Sequence, residues 1–157
     1  MSTDAIVALF DPIRGQSPFS TWMPHTPRLT LEFGEPTLVR AEAPNGSYNF
    51  ETLHGSYRLE LEACKWSIEP IDTLVLPVRS SQKSDELVDR IERLTWFGDL
   101  VEVQADGATL ALEFQRLRLL VELVGATADG EPGFTWTTPE GVTVCRQDAT
   151  LTRGERS

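Results

Sequence analysis

Apolar and polar residues alternate in three stretches between Val101 and Leu123, and an Asp-Gly pair separates the first two. A period of two places the apolar side chains on one face of an extended strand, which disfavours a helix in this region. Asp106 and Gly107 both accept the positive φ angles of a two-residue hairpin turn. The pattern therefore predicts a hairpin followed by a third strand. Leu120 interrupts the polar face of that third strand, which predicts that both of its faces are covered there.

One helix is predicted before the hairpin, near residues 84–95. Ser84 is a suitable N-cap because its hydroxyl accepts a hydrogen bond from an amide of the first turn. Asp85 and Glu86 carry the charge that suits the positive end of the helix dipole. Gly98 is expected to close the helix in a left-handed conformation. Apolar residues recur at helical spacing and predict one buried stripe, at Leu87, Val88, Ile91 and Leu94.

The remaining segments carry strand patterns. Leu29–Phe33 is the first clear strand, and residues 54–69 read as a longer strand in which the alternation changes phase at Cys64. We interpret this phase change as a β-bulge, because one extra residue exchanges the two faces of a strand. The absence of alternating strand–helix units disfavours a parallel sheet. The predicted fold class is mainly β (α+β), an antiparallel curved sheet or sandwich of about seven to ten short strands with the one helix.

The chain of 157 residues has the size of a single domain, which we place at residues 29–149. Residues 1–28 are rich in proline and are predicted to form an arm without a core element, lying across the domain or a neighbouring subunit. The alternative for this arm is a partly ordered tail. Residues 150–157 are predicted to be a polar tail that frays.

The formal charge of −10, from 24 acidic and 14 basic residues, limits the classes of partner. Contacts to phosphate require clusters of Lys and Arg, so neither nucleic acid nor an anionic membrane is expected to bind. A basic protein partner is compatible with this charge, and solubility alone also explains it. The N-terminus lacks the basic start of a signal peptide, and no apolar run approaches the roughly 20 residues of a membrane span, so a cytoplasmic location is expected.

Catalytic and metal-binding motifs do not stand out in this sequence. His25 and His54 lie in different segments, and there is no nucleophile elbow, phosphate loop, Cys-x-x-Cys or His-x-x-x-His spacing. We therefore predict no catalytic residue, no metal and no cofactor, and an enzyme is the least favoured class. Cys64 and Cys145 are expected to be reduced, buried thiols, with a disulfide between them or a reactive thiol as the alternatives.

Residues 54–69, HGSYRLELEACKWSIE, resemble a group of small uncharacterised bacterial proteins. In that group a glycine is followed by an aromatic residue, a Leu-x-Ile-type strand and Cys-x-Trp. The corresponding positions here are Gly55, Tyr57, Leu59, Leu61, Cys64 and Trp66. The resemblance extends over residues 29–115 and departs at Glu60, where the group has a second aromatic residue. It implies a β-rich bacterial domain and implies nothing about activity.

Small size, acidic charge and the lack of catalytic motifs favour a non-catalytic protein-binding module. Its bacterial form would be an immunity or inhibitor protein that masks a basic toxin, such as a nuclease. Trp22 and Trp96 are candidate contacts because they are expected to reach the surface, where large aromatic side chains often carry binding energy. The acidic candidates would share one outer sheet face if their strands were neighbours, and they are Glu60, Glu62, Glu102 and Glu113.

Two other classes of function are compatible with the same sequence. One is a small-molecule carrier with a pocket inside a curved sheet, lined by Phe114, Leu112, Leu119 and Trp136. The other is an oligomeric structural protein in which residues 1–28 exchange between subunits.

Overall fold

The computed structural model describes residues 3–25, 28–42, 46, 49–62, 64–72, 76–93, 97–123, 132–146 and 150–154. The helices described are α1 (Thr3–Ala8), a short 3-10 helix (Asp11–Ile13) and α2 (Ser84–Arg93). The strands described are β1 (Ser20–His25), β2 (Arg28–Phe33), β3 (Thr37–Glu42), β4 (Asn49–His54), β5 (Tyr57–Leu61), β6 (Cys64–Pro70), β7 (Val78–Arg79), β8 (Leu100–Asp106), β9 (Thr109–Phe114), β10 (Leu117–Leu123), β11 (Pro132–Thr138), β12 (Gly141–Arg146) and β13 (Leu151–Gly154).

Most strands belong to two antiparallel sheets, which confirms the predicted mainly β fold class. The strand order is β1-β2-β5-β11-β12-β13 in the six-stranded sheet and β7-β6-β10-β9-β8 in the five-stranded sheet. β3 and β4 form a separate two-stranded hairpin that follows β2 and precedes β5 in the chain. The described part of the chain has thirteen strands and two α-helices, so the prediction underestimated both numbers.

The two larger sheets share one hydrophobic core. Phe33 of β2 stacks on Phe114 of β9 with ring centroids 6.3 Å apart, which brings the two sheets together. Trp66 and Trp136 are buried in the same core. Because one core holds both sheets, each sheet keeps one outer face for other contacts.

The predicted hairpin is confirmed with a small shift of its turn. Asp106 of β8 lies opposite Thr109 of β9, so the two loop residues are Gly107 and Ala108. Gly107 has φ 59°, the left-handed conformation that this kind of turn requires. The loop therefore begins one position later than the sequence pattern indicated.

The predicted helix is confirmed as α2, which begins at Ser84 and ends at Arg93. Leu87 and Ile91 of its apolar stripe are buried in the core, and the helix lies against β1 and β7. Gly98 has φ 78° and approaches Gln115 so closely that a Cβ atom there would overlap the Gln115 side chain. Gly98 has the predicted left-handed conformation, but it lies five positions after the end of α2 and two before the start of β8.

The predicted β-bulge at Cys64 is wrong. β5 ends at Leu61 in the six-stranded sheet, and β6 begins at Cys64 in the five-stranded sheet. The alternation changes phase because the chain crosses from one sheet to the other at a corner. The new phase keeps Leu59 and Leu61 buried before the crossing and Trp66 buried after it.

The prediction that residues 1–28 contain no core element is also wrong. Ile6, Phe10 and Ile13 are all buried in the core. The ring centroid of Phe10 lies 4.9 Å from that of Trp136. Pro12 lies in the first turn of the 3-10 helix, where a missing amide donor breaks no hydrogen bond. The N-terminal segment is thus part of the core of its own chain.

The C-terminal tail is partly structured, in contrast to the predicted frayed segment. β13 pairs antiparallel with β12, and Leu151 lies opposite Cys145. Residues 155–157 lie outside the described part of the chain. Cys64 and Cys145 are buried thiols that form no disulfide, as predicted.

Candidate functional site

A row of charged residues crosses the outer face of the five-stranded sheet. The strand registers place Arg118 of β10 between Glu69 of β6 and Glu113 of β9. Glu113 in turn lies opposite Glu102 of β8. These side chains point away from the core because successive residues of a strand alternate between the two faces and most of their strand neighbours are buried. We call Glu69, Arg118, Glu113 and Glu102 the acidic row.

Arg118 is shared between two carboxylates of the acidic row. Its Nη2 donates a hydrogen bond to Glu69 Oε1 at 3.0 Å, and its Nη1 lies 4.0 Å from Glu113 Oε1. Glu102 has no ion-pair partner among the residues that the structure describes. Like charges that face each other across antiparallel strands destabilise a sheet, by roughly 0.2–1 kcal/mol. The Glu102 end of the row therefore carries a negative charge that the described chain does not compensate.

A first cleft, of about 580 Å³, opens beside the acidic row. Its walls combine residues of the row with the apolar side chains of Ile71 and Val101. These two side chains are 65% and 60% exposed, which is unusual for large apolar groups. Val101 lies where the register between β8 and β9 shifts, and such an irregularity turns a side chain outward beside its neighbour Glu102.

A second cleft, of about 620 Å³, lies on the same sheet and extends to β7. Its walls include Lys65, Ser67, Arg79, Ser80 and Leu120. Leu120, which the sequence pattern marked as covered on both faces, is half-buried and forms part of this wall. The second cleft therefore has cationic, hydroxyl and apolar groups in one place.

The outer face of the six-stranded sheet carries Glu32, whose carboxylate is fully buried by the residues around it. Its Oε1 accepts hydrogen bonds from Arg58 Nε and from the backbone amide of Gly55, both at 3.0 Å. Its Oε2 accepts a hydrogen bond from Trp22 Nε1 at 3.1 Å. A Cβ atom at Gly55 would overlap the carbonyl oxygen of Phe33, so only glycine permits this close approach. The carboxylate thus ties β1, the end of the β3–β4 hairpin and β5 to β2.

Glu60 lies beside this buried carboxylate, and Glu62 follows two positions further along the chain. Arg58 Nη1 is 3.7 Å from Glu60 Oε1, and Thr135 Oγ1 donates a hydrogen bond to Glu62 Oε2 at 2.9 Å. Burial raises the pKa of Glu60 above its ordinary value of 4.5. The positive charge of Arg58 opposes this rise in pKa, while the negative charges of Glu62 and Glu32 add to it. The ionised form of Glu60 therefore lowers the stability of the folded state.

Glu60→Gln is expected to raise the free energy of unfolding at about pH 7, by on the order of 0.5 kcal/mol. A raised native pKa means that the ionised form opposes folding at every pH above that pKa. As the pH falls through the native pKa and then below the ordinary value, Glu60 becomes protonated in both states and the advantage of Gln disappears. Urea unfolding at about pH 7 and about pH 4 measures this difference. Glu35→Gln at an exposed position is the control and should change stability little at either pH. A gain for Glu60→Gln that is equal at both pH values would contradict the expectation.

The predicted acidic contacts do not form one surface. Glu102 and Glu113 are neighbours on β8 and β9. Glu60 lies on β5 in the other sheet and Glu62 directly follows that strand, so the condition for one shared outer face is not met. Trp22 is half-buried and donates to Glu32, whereas Trp96 lies outside the described residues.

Sequence reasoning missed the partners that complete these sites. Glu69 and Arg118 are outward-facing positions of their strands, but their sequence separation hides that they are opposite each other. Glu32 has the sequence pattern of an exposed strand position, yet Trp22 and the segment around Gly55 bury it. Only the alternation, which places all three side chains on outer faces, was visible in the sequence.

The residues predicted to line an internal pocket are packed in the core instead. Leu112, Leu119, Trp136 and Phe114 are all buried, and of these only Phe114 also lines the first cleft. Across the described ranges, no group of three or more His, Cys, Asp or Glu side chains is placed to hold a metal ion. Within the same ranges, neither α-helix has the length and hydropathy that a membrane crossing requires.

Comparison with known proteins returns no relative: no family model, no curated protein and no solved structure matches the chain. The resemblance of residues 54–69 to a bacterial group therefore stays a prediction.

Proposed function

We propose that this protein is a non-catalytic module that binds a basic protein through the outer face of its five-stranded sheet. In a bacterial cytoplasm, such a module would act as an immunity or inhibitor protein that masks a basic toxin. The observation that carries this proposal is the placement of Glu102 directly opposite Glu113, beside the exposed side chain of Val101.

A cation from a partner would remove the repulsion within this pair. A Lys or Arg side chain seated between Glu102 and Glu113 would gain two attractive interactions at a position where the free protein has an unfavourable one. At the other end of the row, Arg118 already lies between two carboxylates in this way, those of Glu69 and Glu113. The partner's cation would extend this alternation of charges to the edge strand β8.

The first cleft supplies the apolar part of the same surface. Ile71 and Val101 would be covered by an apolar side chain of the partner, with the acidic row forming a charged rim. Apolar groups at the centre and charged groups at the rim are the usual arrangement of protein interfaces. The net charge of −10 adds a long-range attraction that speeds association with a basic partner.

Reversal of two charges in the acidic row, by Glu102→Lys together with Glu113→Lys, is expected to abolish capture of this partner. An affinity loss of about 100-fold or more follows, because close interfacial charge pairs contribute roughly 1.5–7 kcal/mol and reversal replaces attraction with repulsion. The measurement is affinity capture from a lysate of the source cell with immobilised wild-type and variant protein. Washes at low and then high salt, followed by mass spectrometry, identify what each bait retains.

Glu35→Lys together with Glu42→Lys is the matched control, since it changes the net charge equally at exposed positions in and next to β3. The proposal predicts one basic, stoichiometric partner that the control retains, that salt releases and that the acidic-row variant loses. Equal retention by both variants would exclude the acidic row from the interface. A captured partner without a basic surface would overturn the proposed chemistry.

A further inference from the structure

The second cleft concentrates cationic and hydroxyl groups on a protein that is otherwise strongly acidic. Lys65 and Ser67 occupy alternate positions of β6 and share its outer face, and Arg79 of β7 lies opposite Ser67. Strand geometry separates alternate residues by about 7 Å and directly opposite residues by about 5 Å. The two cationic side chains therefore flank a single hydroxyl group.

The turn after β7 adds further hydroxyl groups to this cleft. The Ser80 hydroxyl oxygen accepts a hydrogen bond from the Trp66 amide at 3.0 Å, and the Ser80 amide donates to the Trp66 carbonyl at 2.9 Å. These two bonds fix Ser80 at the wall, and its hydroxyl proton can still be donated to a ligand. Ser81 lines the same wall, and Leu120 supplies an apolar surface beside it.

Two glutamates also line the cleft, beside its two cations. In the part of the chain that the structure describes, neither Lys65 nor Arg79 forms an ion pair. Glu69 also lines the cleft, but its carboxylate is engaged by Arg118 at 3.0 Å. Glu122 lies opposite Lys65 in the register of β6 and β10 and is the remaining negative charge at the site.

We propose that the second cleft binds a small phosphate monoester. The phosphate would contact Lys65, Arg79 and the serine hydroxyls, while the organic group packs on Leu120. Two cations match the charge of the dianion, and hydroxyl groups donate readily to its oxygens. A volume of about 620 Å³ lies in the range of small-molecule sites. This site is separate from the Glu102–Glu113 pair and does not depend on the proposed protein partner.

Phenyl phosphate is the probe, because it combines a phosphate with an apolar ring. Its titration into the ¹⁵N-labelled full chain is expected to shift the amide resonances of the cleft residues in a saturable way. Lys65→Gln and Arg79→Gln should each weaken binding about tenfold, as the loss of one charge-assisted hydrogen bond predicts. Glu122→Gln should strengthen binding, because it removes the negative charge that faces Lys65.

Two controls separate this site from general attraction to cations. Arg14→Gln removes an exposed cation elsewhere, which pairs with Asp11, and should leave the affinity unchanged. Phenol, which lacks the phosphate, should not saturate the same resonances. Shifts that grow linearly without saturation, or an equal loss of affinity for Arg14→Gln and Arg79→Gln, would overturn the proposal. Unchanged or weaker binding for Glu122→Gln would also contradict the assigned orientation of the phosphate.

Discussion

Phe10→Ala is expected to lower the free energy of unfolding by about 3–5 kcal/mol, the range for removing a buried aromatic side chain. Phe10 is 0% exposed, and its ring centroid lies 4.9 Å from that of Trp136 and 6.1 Å from that of Phe134. Removing the ring leaves a cavity between the N-terminal segment and β11, which its neighbours cannot fill without moving. Urea unfolding measures the change, and the melting temperature should fall by roughly 10 °C.

Phe19→Ala is the matched control for this prediction. Phe19 belongs to the same N-terminal segment but is 38% exposed, so its removal should cost about 1 kcal/mol or less. A small, equal effect of both substitutions would show that residues 3–13 do not belong to the core in solution. A large effect of Phe10→Ala alone establishes that this segment is a structural part of the domain.

In the N-terminal segment, the prolines outweighed an apolar spacing that indicated burial. Ile6, Phe10 and Ile13 have the i, i+4, i+7 spacing of an apolar helical face, so their burial could have been predicted. The prolines argued against any regular element, but two of them occupy tolerated positions. Pro12 lies in the first turn of a 3-10 helix, and Pro24 lies in β1, which is an edge strand.

Features that depend on neighbouring residues were predictable from sequence. The hairpin of β8 and β9 follows from local alternation and a local turn, and alternation places Glu102 and Glu113 on the same outer face. Their pairing was not predictable in this way, because the predicted loop, one position too early, would have placed Glu102 opposite Ala111. The rest of the acidic row pairs Glu69 with Arg118 across strands that are far apart in the chain, and alternation carries no information about such pairing.

The transition from Leu61 to Cys64 illustrates the same limit. A β-bulge and a crossing between sheets both exchange the two faces of the chain, so they produce the same phase change in the sequence. The choice depends on which strands lie alongside, because β5 pairs with β2 and β11 whereas β6 pairs with β7 and β10. The predicted common face of Glu60 and Glu102 failed for this reason, since the crossing assigns them to different sheets.

Glu32→Leu is expected to lower the free energy of unfolding by about 3–5 kcal/mol, as removal of one partner of a buried ion pair does. The substitution takes away the acceptor of Arg58, of the Gly55 amide and of the Trp22 indole. Each donor would lie buried or half-buried without that acceptor, and the charge of Arg58 would be the most costly. Glu35→Leu, at an exposed position close in sequence, should change stability by no more than about 0.5 kcal/mol.

A second substitution distinguishes an unpaired charge from the simple loss of contacts around Glu32. Arg58→Met in the Glu32→Leu background removes the half-buried cation as well, so the double variant should be more stable than Glu32→Leu alone. The gain will be partial because Arg58 also lies 3.7 Å from Glu60. A double variant that is less stable than Glu32→Leu would mean that the cost comes from lost packing. Hydrogen exchange at the Gly55 amide should accelerate in both variants, since its acceptor is gone and this part of the β3–β4 hairpin is no longer tied to β2.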